Sequence, residues 1–556
     1  MNELLKPIAF DARTAAYILP KKILLKTDGT EKADRLLTDV VTQSSIGIGE
    51  LTVLSTEDGK KALLLLDFGC EMFGGIRLIT RECSKRDGVP LHVRFGESAS
   101  EAMAPLGYKG ACNDHAVRDT DILLPWNSDT VFGQTGFRFV CLELTDPASF
   151  IQLRAVQAVA LYRDIPYLGQ FSGGDALLDR IYAVSAYTVH LNMQSLLWDG
   201  IKRDRLVWIG DMHPELLTIR SVFGHQAVAD DSLRHISRTS PMPGWPCRMT
   251  PYGLWYLLCL WDQYRYTGDE ALVSELADYW QPLLQEVLAL VHDEKPLLRE
   301  DEWQAGFFLD WPSKGSPEAE GGIYALTVMT LRAAAGLCAL IGNEKLKAAC
   351  HAKCERLSAV HFPVGEKKQV TALLQLAGLA EGDVAAALTA GGGHGMSTFM
   401  SYYILKATAE TAGVAAALSM LREYYGGMLQ AGATTFWEDF DLNWLRDGAN
   451  ISKLPQEGGY DIHGDNGRYC YQGFRHSLCH GWSGGPAAFL AETVLGVQIL
   501  SPGCREVAIR PQLGDLEEVT GCYPTPQGVI RIIARKENGK TVTEITAPKE
   551  ISVLRE

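Results

Sequence analysis

The sequence contains no C-x-x-C pair and no H-E-x-x-H motif, and no apolar run is long enough to cross a bilayer. The missing cysteine pairs argue against a zinc ribbon, and thirteen scattered cysteines, an odd number, do not indicate a disulfide framework. Cys350 and Cys354 lie four apart on a predicted helix, where packing is a better explanation than metal binding. Since a span needs roughly 18 apolar residues, no membrane association is expected.

Positive charge is also scarce, with 52 basic against 67 acidic residues and a net charge of -15. Without a basic run or patch, the chain is not expected to bind nucleic acid. A neutral polar substrate such as a sugar fits this composition better, because it needs aromatic platforms and hydrogen-bonding carboxylates. The N-terminus mixes charges into its apolar residues and lacks the pattern of a secretory signal, so a cytoplasmic location is expected.

Hydrophobic periodicity divides the chain into three predicted domains. Residues 1–165 contain short β-rich runs separated by turn residues, which indicates an N-terminal β-sandwich. Residues 166–496 follow a near 3.6-residue period, with Asp175 as the first helix cap and a last helix at 477–496. Paired helices, some apolar nearly all round, predict a multidomain protein with a central all-α toroid. Residues 497–556 alternate again and predict a small C-terminal β-domain.

The densest group of ionisable residues lies in one segment next to a tryptophan. A carboxyl group near other carboxylates and partly desolvated by an indole stays protonated to higher pH, as a general acid must. A solvated loop, with Asp211 only capping a helix, is an equally good explanation of the charge density alone. The segment contains Asp199, Lys202, Arg203, Asp204, Arg205, Trp208 and Asp211.

A second group places Glu438 and Asp439 among Trp437, Phe440 and Trp444. A carboxylate there could activate water, although a loop carboxylate among packed aromatic side chains is the competing interpretation. The motif Gly481–Gly485 matches the G-x-S-x-G elbow of serine hydrolases, but it leads into a helix within a helical region and lacks the preceding buried strand. We therefore do not predict a serine nucleophile.

Three motifs occur in order along the chain: DGIKRDRLVWIGD, GATTFWEDFD and HSLCHGWSGGPAAFLAETVLGVQILSPG. Together they resemble glycoside hydrolase family 78, the α-L-rhamnosidases, and the resemblance runs from the late N-terminal domain almost to the C-terminus. It implies an (α/α)6 barrel flanked by β-sandwiches. It also implies an inverting mechanism that needs no metal or other cofactor and uses one carboxylic acid and one carboxylate.

The resemblance also assigns roles to individual residues. Asp204 matches the family's general acid and Glu438 its general base. Residues that match positions contacting the sugar are Asp199, Arg203, Trp208, Asp211 and His480, with Trp255, Trp303 and Trp311 as an aromatic subsite.

Two departures from the family pattern concern the first motif. Asp204 stands where most members have glutamate, one methylene longer, so the donor must lie closer to the sugar to transfer a proton. The family's Cys-Pro-Gln is also absent and Gly200-Ile201 takes its place, so Lys202 and Arg203 both compete for the role of the cation. Both changes bear on which sugar fits.

The leading hypothesis is exo-acting release of terminal α-L-rhamnose from small glycosides or oligosaccharides. Two alternatives stay open: a related glycosidase for another deoxyhexose or a uronic acid, and an inactive carbohydrate-binding homologue. The sequence also leaves a homodimer open.

Overall fold

The computed structural model of the chain describes residues 11–38, 40, 43, 50–446, 448–456, 458–469 and 471–555. Within them, a β-rich region is followed by helices and then by further strands, in the predicted order. One apolar core belongs to the N-terminal strands, and a larger one extends from the helices into the C-terminal strands. The helices and the C-terminal strands therefore share an interior.

The N-terminal strands form one antiparallel sheet. They are β1 (Arg13–Ile18), β2 (Lys22–Lys26), β3 (Thr30–Glu31), β4 (Thr52–Ser55), β5 (Ala62–Cys83), β6 (Val89–Gly96), β7 (Asp119–Leu124), β8 (Asp129–Leu144) and β9 (Phe150–Arg163). The long strand β5 pairs with both β8 and β9. Its Leu64 and Leu66 enter one apolar cluster and Leu65 another, so both faces are covered. That double burial explains the unbroken apolar run in the sequence.

A short helix, α1 (Ala99–Met103), follows β6 and turns toward the helical region. The Ser98 hydroxyl caps it by accepting the N–H of Glu101 at 3.1 Å. Ala99 donates its own N–H to the backbone oxygen of Ile451. Helix α1 thus contacts the loop that follows the second motif.

Strand β10 (Gln170–Ser172) leads into the helical region. The predicted cap Asp175 accepts the N–H groups of Leu177 and Leu178. The helices are α2 (Ala176–Asn192), α3 (Ile209–Val222), α4 (Ala227–Thr239), α5 (Thr250–Thr267), α6 (Glu270–Glu275), α7 (Ala277–Ala289), α8 (Ala319–Leu340), α9 (Glu344–Ser358), α10 (Lys368–Ala377), α11 (Val384–Thr389), α12 (Ser401–Ala412), α13 (Val414–Gln430) and α14 (Gly485–Phe489). By length and composition α8 could span a membrane, with a mean hydropathy of 1.6, but it is mostly buried inside the helical region.

The predicted helix at 477–496 is wrong in its first part. Residues 477–480 are extended, α14 begins only at Gly485, and Leu490–Val494 form a π-helical turn. The extended part pairs its backbone with two distant segments of the chain, and these hydrogen bonds replace those of a helix.

Short strand pairs lie between the helices: β11 (Phe362–Pro363) with β12 (Ala380–Glu381), and β13 (Gly467–Arg468) with β14 (Tyr471–Gln472). The C-terminal strands are β15 (Val497–Ile499), β16 (Glu506–Ile509), β17 (Glu518–Thr525), β18 (Gly528–Glu537), β19 (Lys540–Thr546) and β20 (Ser552–Arg555). They form a three-stranded sheet, and a four-stranded sheet that β10 completes. Residues 170–172, inside the predicted helical domain, therefore belong to a C-terminal sheet.

A buried ion pair joins the N-terminal sheet to the loop after α13. Arg138 donates to both carboxylate oxygens of Asp67, at 2.8 and 2.9 Å, and to the backbone oxygen of Gly432 at 3.0 Å. The two side chains are at most 9% exposed. Such a pair is costly to break because one charge is left buried without a partner.

We expect Arg138→Met to lower the stability of the N-terminal sheet by about 3–5 kcal/mol, since Asp67 would keep a buried and uncompensated charge. Urea unfolding followed by tryptophan fluorescence measures the change. Arg234→Met is the matched control, because Arg234 pairs with Glu275 at the surface, where the side chains are 27% and 45% exposed. Equal midpoints for the two variants would contradict the structural role of the buried pair.

Candidate active site

Backbone pairing brings the three sequence motifs together. His480 forms an antiparallel bridge with Gly200, and its N–H donates to the backbone oxygen of Phe436 at 3.1 Å. The N–H of Glu438 donates to the backbone oxygen of Ser477 at 3.0 Å. The side chains of the first, second and third motifs therefore converge on one place.

His480 lies between two buried carboxylates at the centre of this place. Its Nε2 is 3.0 Å from Asp211 Oδ2, and its Nδ1 is 4.0 Å from Glu438 Oε1. Burial alone would lower the pKa of His480, but Glu438 and Asp211 outweigh burial and raise it. His480 Nε2 thus lies at hydrogen-bond distance from Asp211, which also accepts the hydroxyl of Tyr252 at 3.2 Å.

Glu438 is held in its charged form by cationic neighbours. Arg203 Nη2 donates to its Oε2 at 2.5 Å, and the N–H of Ser477 donates to the same oxygen at 3.2 Å. Burial acts to raise the pKa of Glu438, but Arg203, followed by His480 and His476, lowers it to about 2. The carboxylate is therefore ionised at neutral pH, as a base must be.

The guanidinium of Arg203 separates Glu438 from Asp204. Its Nη1 is 3.4 Å from Asp204 Oδ1, and the ring of Tyr471 packs against its other side. His115, from the loop before β7, also approaches Asp204 Oδ1 at 3.4 Å. Asp204 has a left-handed backbone conformation (φ 53°) and a side chain that is 14% exposed. The two predicted catalytic carboxylates thus flank one cation.

Asp199 and Trp208 lie in the part of the first motif that precedes α3. Asp199 Oδ1 accepts the N–H of Leu206 at 2.9 Å. Burial raises the pKa of Asp199 well above its usual range, His480 offsets part of that rise, and Asp211 adds to it. The Trp208 ring meets Tyr252 edge-on, and its Nε1 has no hydrogen-bond partner among the described residues.

A small cavity with aromatic walls opens beside Glu438. Trp311 stacks on Tyr469 with ring centres 5.9 Å apart, and Trp482 stacks on Phe399 at 5.0 Å. Trp482 donates its Nε1–H to the backbone oxygen of Glu438 at 2.9 Å. Flat rings around a carboxylate are typical of a sugar site. Residues that line the cavity include Asp310, Trp311, Glu438, Asp439, Tyr469, Tyr471 and Trp482.

A larger cavity, of about 680 Å³, lies further along α3, α5 and α12, toward the C-terminal strands. Its deepest charges are paired with each other, because Arg220 lies 3.5 Å from Asp262 and 3.0 Å from Glu492. Neither of the predicted catalytic carboxylates, Asp204 and Glu438, lines this cavity. We therefore place the candidate site at the smaller cavity, which Glu438 and Trp482 of the second and third motifs line, and where Arg203 of the first motif contacts Glu438.

A protein-family model matches part of the helical region. Residues 166–359 match the family model of the bacterial α-L-rhamnosidase six-hairpin glycosidase domain. The predicted resemblance to glycoside hydrolase family 78 is confirmed. A search of curated proteins finds no match.

Solved structures of rhamnosidases share the fold. A family 78 rhamnosidase of Bacillus sp. GL1 matches with a TM-score of 0.73 and 22% identity, over 94% of this chain and 55% of its own. The α-L-rhamnosidase of Dictyoglumus thermophilum matches with a TM-score of 0.70 and 15% identity, over 97% of this chain and 58% of its own. This chain thus spans little more than half the length of these two. A Klebsiella oxytoca rhamnosidase with rhamnose bound matches with a TM-score of 0.66 and 17% identity, over 87% of this chain and 96% of its own.

Most residues assigned through the family motifs lie together, whereas the predicted aromatic subsite is divided. Trp311 lines the cavity. Trp255 is fully buried and packs against His213, Phe399 and Tyr403, as a core residue does. Trp303 is also buried, with its ring edge-on to Phe307. Of the two competing cations, Arg203 contacts the predicted catalytic carboxylates Asp204 and Glu438. Asp211 lies inside α3, which begins at Ile209, and is not its cap.

Three residues of the site were not predicted from the sequence. Asp310 lines the cavity with a buried carboxyl whose Oδ2 has no hydrogen-bond partner among the described residues. Burial raises its pKa, and hydrogen bonds from Ser313 offset part of that rise. Its position in the unusually long loop at 301–317 was a usable signal. Tyr471 had the same signal, since it lies in the long loop at 431–475, whereas His115 lies in no motif and no such loop.

Proposed function

We propose that this protein is an exo-acting glycosidase that releases terminal α-L-rhamnose with inversion. Glu438 takes a proton from the attacking water, and Asp204 gives a proton to the oxygen of the leaving group as the glycosidic bond breaks. The observation that carries the proposal is the ionised Glu438 beside an aromatic-walled cavity, with Asp204 across Arg203. The rhamnose bound to the Klebsiella oxytoca relative supports the choice of sugar. We further propose that the helices close into an (α/α)6 toroid.

The direct test is hydrolysis of an aryl α-L-rhamnoside followed by proton NMR. Early release of β-L-rhamnose supports inversion, and early release of the α-anomer contradicts it. A panel with aryl α-L-fucoside and aryl uronides decides between rhamnose and another deoxyhexose or an acidic sugar. Calorimetric binding of L-rhamnose without turnover of any glycoside would instead identify a carbohydrate-binding homologue.

We expect Arg203→Met to make activity fall at mildly acidic pH. Arg203 is the strongest of the neighbours that lower the pKa of Glu438 to about 2, so the variant lets burial raise this pKa toward or above its usual value. The wild-type base stays ionised down to about pH 2, whereas the variant base becomes protonated at a higher pH. The measurement is the profile of kcat/KM between pH 4 and 8. An unchanged acidic limb would contradict the assignment of Glu438 as the base.

A further inference from the structure

A buried lysine connects the N-terminal sheet to the third motif. Lys202 Nζ lies 2.8 Å from Glu101 Oε1 and 3.3 Å from Glu97 Oε2, and both carboxylates are fully buried. The same ammonium donates to the backbone oxygens of Phe474 and His476, at 2.5 and 2.9 Å. One cation thus binds two acidic side chains of the N-terminal domain and two carbonyl groups of the loop at 474–480.

Glu97 binds the N–H groups of the same loop. It accepts the N–H of Leu478 at 2.7 Å and the hydroxyl of Ser477 at 3.3 Å. His463 adds a contact at 3.0 Å to the backbone oxygen of His476. Carbonyl and N–H groups of the loop are therefore both fixed, and most of these contacts come from Lys202 and Glu97.

Hydrogen bonds connect this loop to Glu438, the proposed base. Ser477 accepts the N–H of Glu438 with its backbone oxygen and donates its own N–H to Glu438 Oε2. His476 Nε2 accepts the N–H of Asp439 at 2.9 Å, and the loop ends at His480. A shift of the loop would move both Glu438 and the histidine beside it.

A divalent cation is the alternative occupant of this cluster. Glu97, Glu101 and His463 offer three ligand atoms within 4.8 Å of one another. The ammonium of Lys202 already supplies a positive charge at hydrogen-bond distance from both carboxylates, and a metal ion there would face strong repulsion. Lysine therefore fits the cluster as its permanent cation.

We propose that Lys202, Glu97 and Glu101 form a buried charge clamp through which the N-terminal domain positions Glu438. They are positioning residues, since they act on the loop at 474–480 and not on the sugar. Their effect on turnover rests on the proposed function, whereas their effect on the loop does not.

Hydrogen exchange of the full-length protein tests the clamp without any substrate. In Lys202→Met, we expect amide exchange in residues 473–482 to accelerate by about tenfold, because hydrogen bonds to a charged group are lost. Lys202→Arg keeps the charge and should stay close to wild type. Lys353→Met is the control, since Lys353 pairs with Asp293 at the surface. Exchange at 473–482 that is unchanged in Lys202→Met, or accelerated equally in the control, overturns the proposal.

Steady-state kinetics distinguish a defect in the position of Glu438 from a simple loss of folded protein. On an aryl α-L-rhamnoside, Lys202→Met should lower kcat by about tenfold to a hundredfold with KM changed little, and Lys202→Arg should recover most of the loss. If Lys202→Met does not fold, Glu101→Gln replaces it, and it should accelerate exchange in the same segment to a smaller degree. A wild-type protein that lacks rhamnosidase activity contradicts the proposed function, while the exchange result still decides the clamp.

Elemental analysis of the purified protein tests the alternative that a metal ion occupies this cluster. We expect no stoichiometric divalent ion in wild type, and no change in exchange at 473–482 on addition of EDTA. One bound ion per chain, lost in Glu97→Gln together with protection of the loop, would replace the clamp by a metal site.

Discussion

Glu438→Gln is expected to lower kcat on an aryl α-L-rhamnoside by about 10²–10⁴-fold, because an amide cannot take a proton from the attacking water. The carboxylate is buried, paired with Arg203 at 2.5 Å, and has a pKa of about 2, so the wild type has this base fully charged at neutral pH. The variant keeps the shape of the side chain and the contact with Ser477. Steady-state kinetics at pH 7 provide the measurement.

Two controls make this result specific. Glu410→Gln changes an exposed glutamate at the larger cavity, which neither predicted catalytic carboxylate lines, and should leave kcat unchanged. Added azide, a small anionic nucleophile, needs no general base and should restore turnover in Glu438→Gln as a glycosyl azide of inverted configuration. A kcat within threefold of wild type in Glu438→Gln would remove Glu438 from the mechanism.

Local hydrophobic patterns predicted the strands and helices that are buried along most of their length. The apolar run within β5 indicated a strand, and the near-uniform apolarity of α8 indicated a buried helix, because each is surrounded by protein on nearly all sides. Helix α4 was not predicted. Its apolar positions form a narrow stripe of Val228, Leu233 and Ile236 among charged residues.

The candidate site shows where local patterns stop being informative. The segment at 477–496 has the composition of a helix, yet its first residues pair with Gly200 and Phe436, which are distant in sequence. Tertiary hydrogen bonds outweigh local propensity there. His115 likewise reaches Asp204 from the N-terminal sheet, and no motif could reveal that contact. The family motifs predicted Glu438, Asp204 and His480 together with two of their partners, Arg203 and Asp211, but not His115, which lies beside Asp204, or Tyr471, which packs on Arg203.

Asp204→Asn is expected to lose activity to a degree that depends on the leaving group. A general acid protonates the departing oxygen, so its loss is costly for an alkyl rhamnoside, whose alkoxide leaves poorly. A 4-nitrophenyl group leaves as a stable anion and needs little protonation. We expect kcat/KM to fall by about 10²–10⁴-fold for the alkyl substrate and by at least tenfold less for the nitrophenyl one. Parallel kinetics on the two substrates measure this difference.

Asp204→Glu is the matched control because it keeps a carboxyl group and introduces the glutamate that the family resemblance implies at this position. This variant keeps a proton donor. The ratio of kcat/KM between the alkyl and the nitrophenyl substrate should therefore stay close to that of wild type, even if the longer side chain changes kcat. An equal loss on both substrates in Asp204→Asn would show that Asp204 only pairs with Arg203 and His115. The proton donor would then be another carboxyl group of the cavity. Asp439 is the first to test, since burial and the charge of Glu438 raise its pKa to about 7.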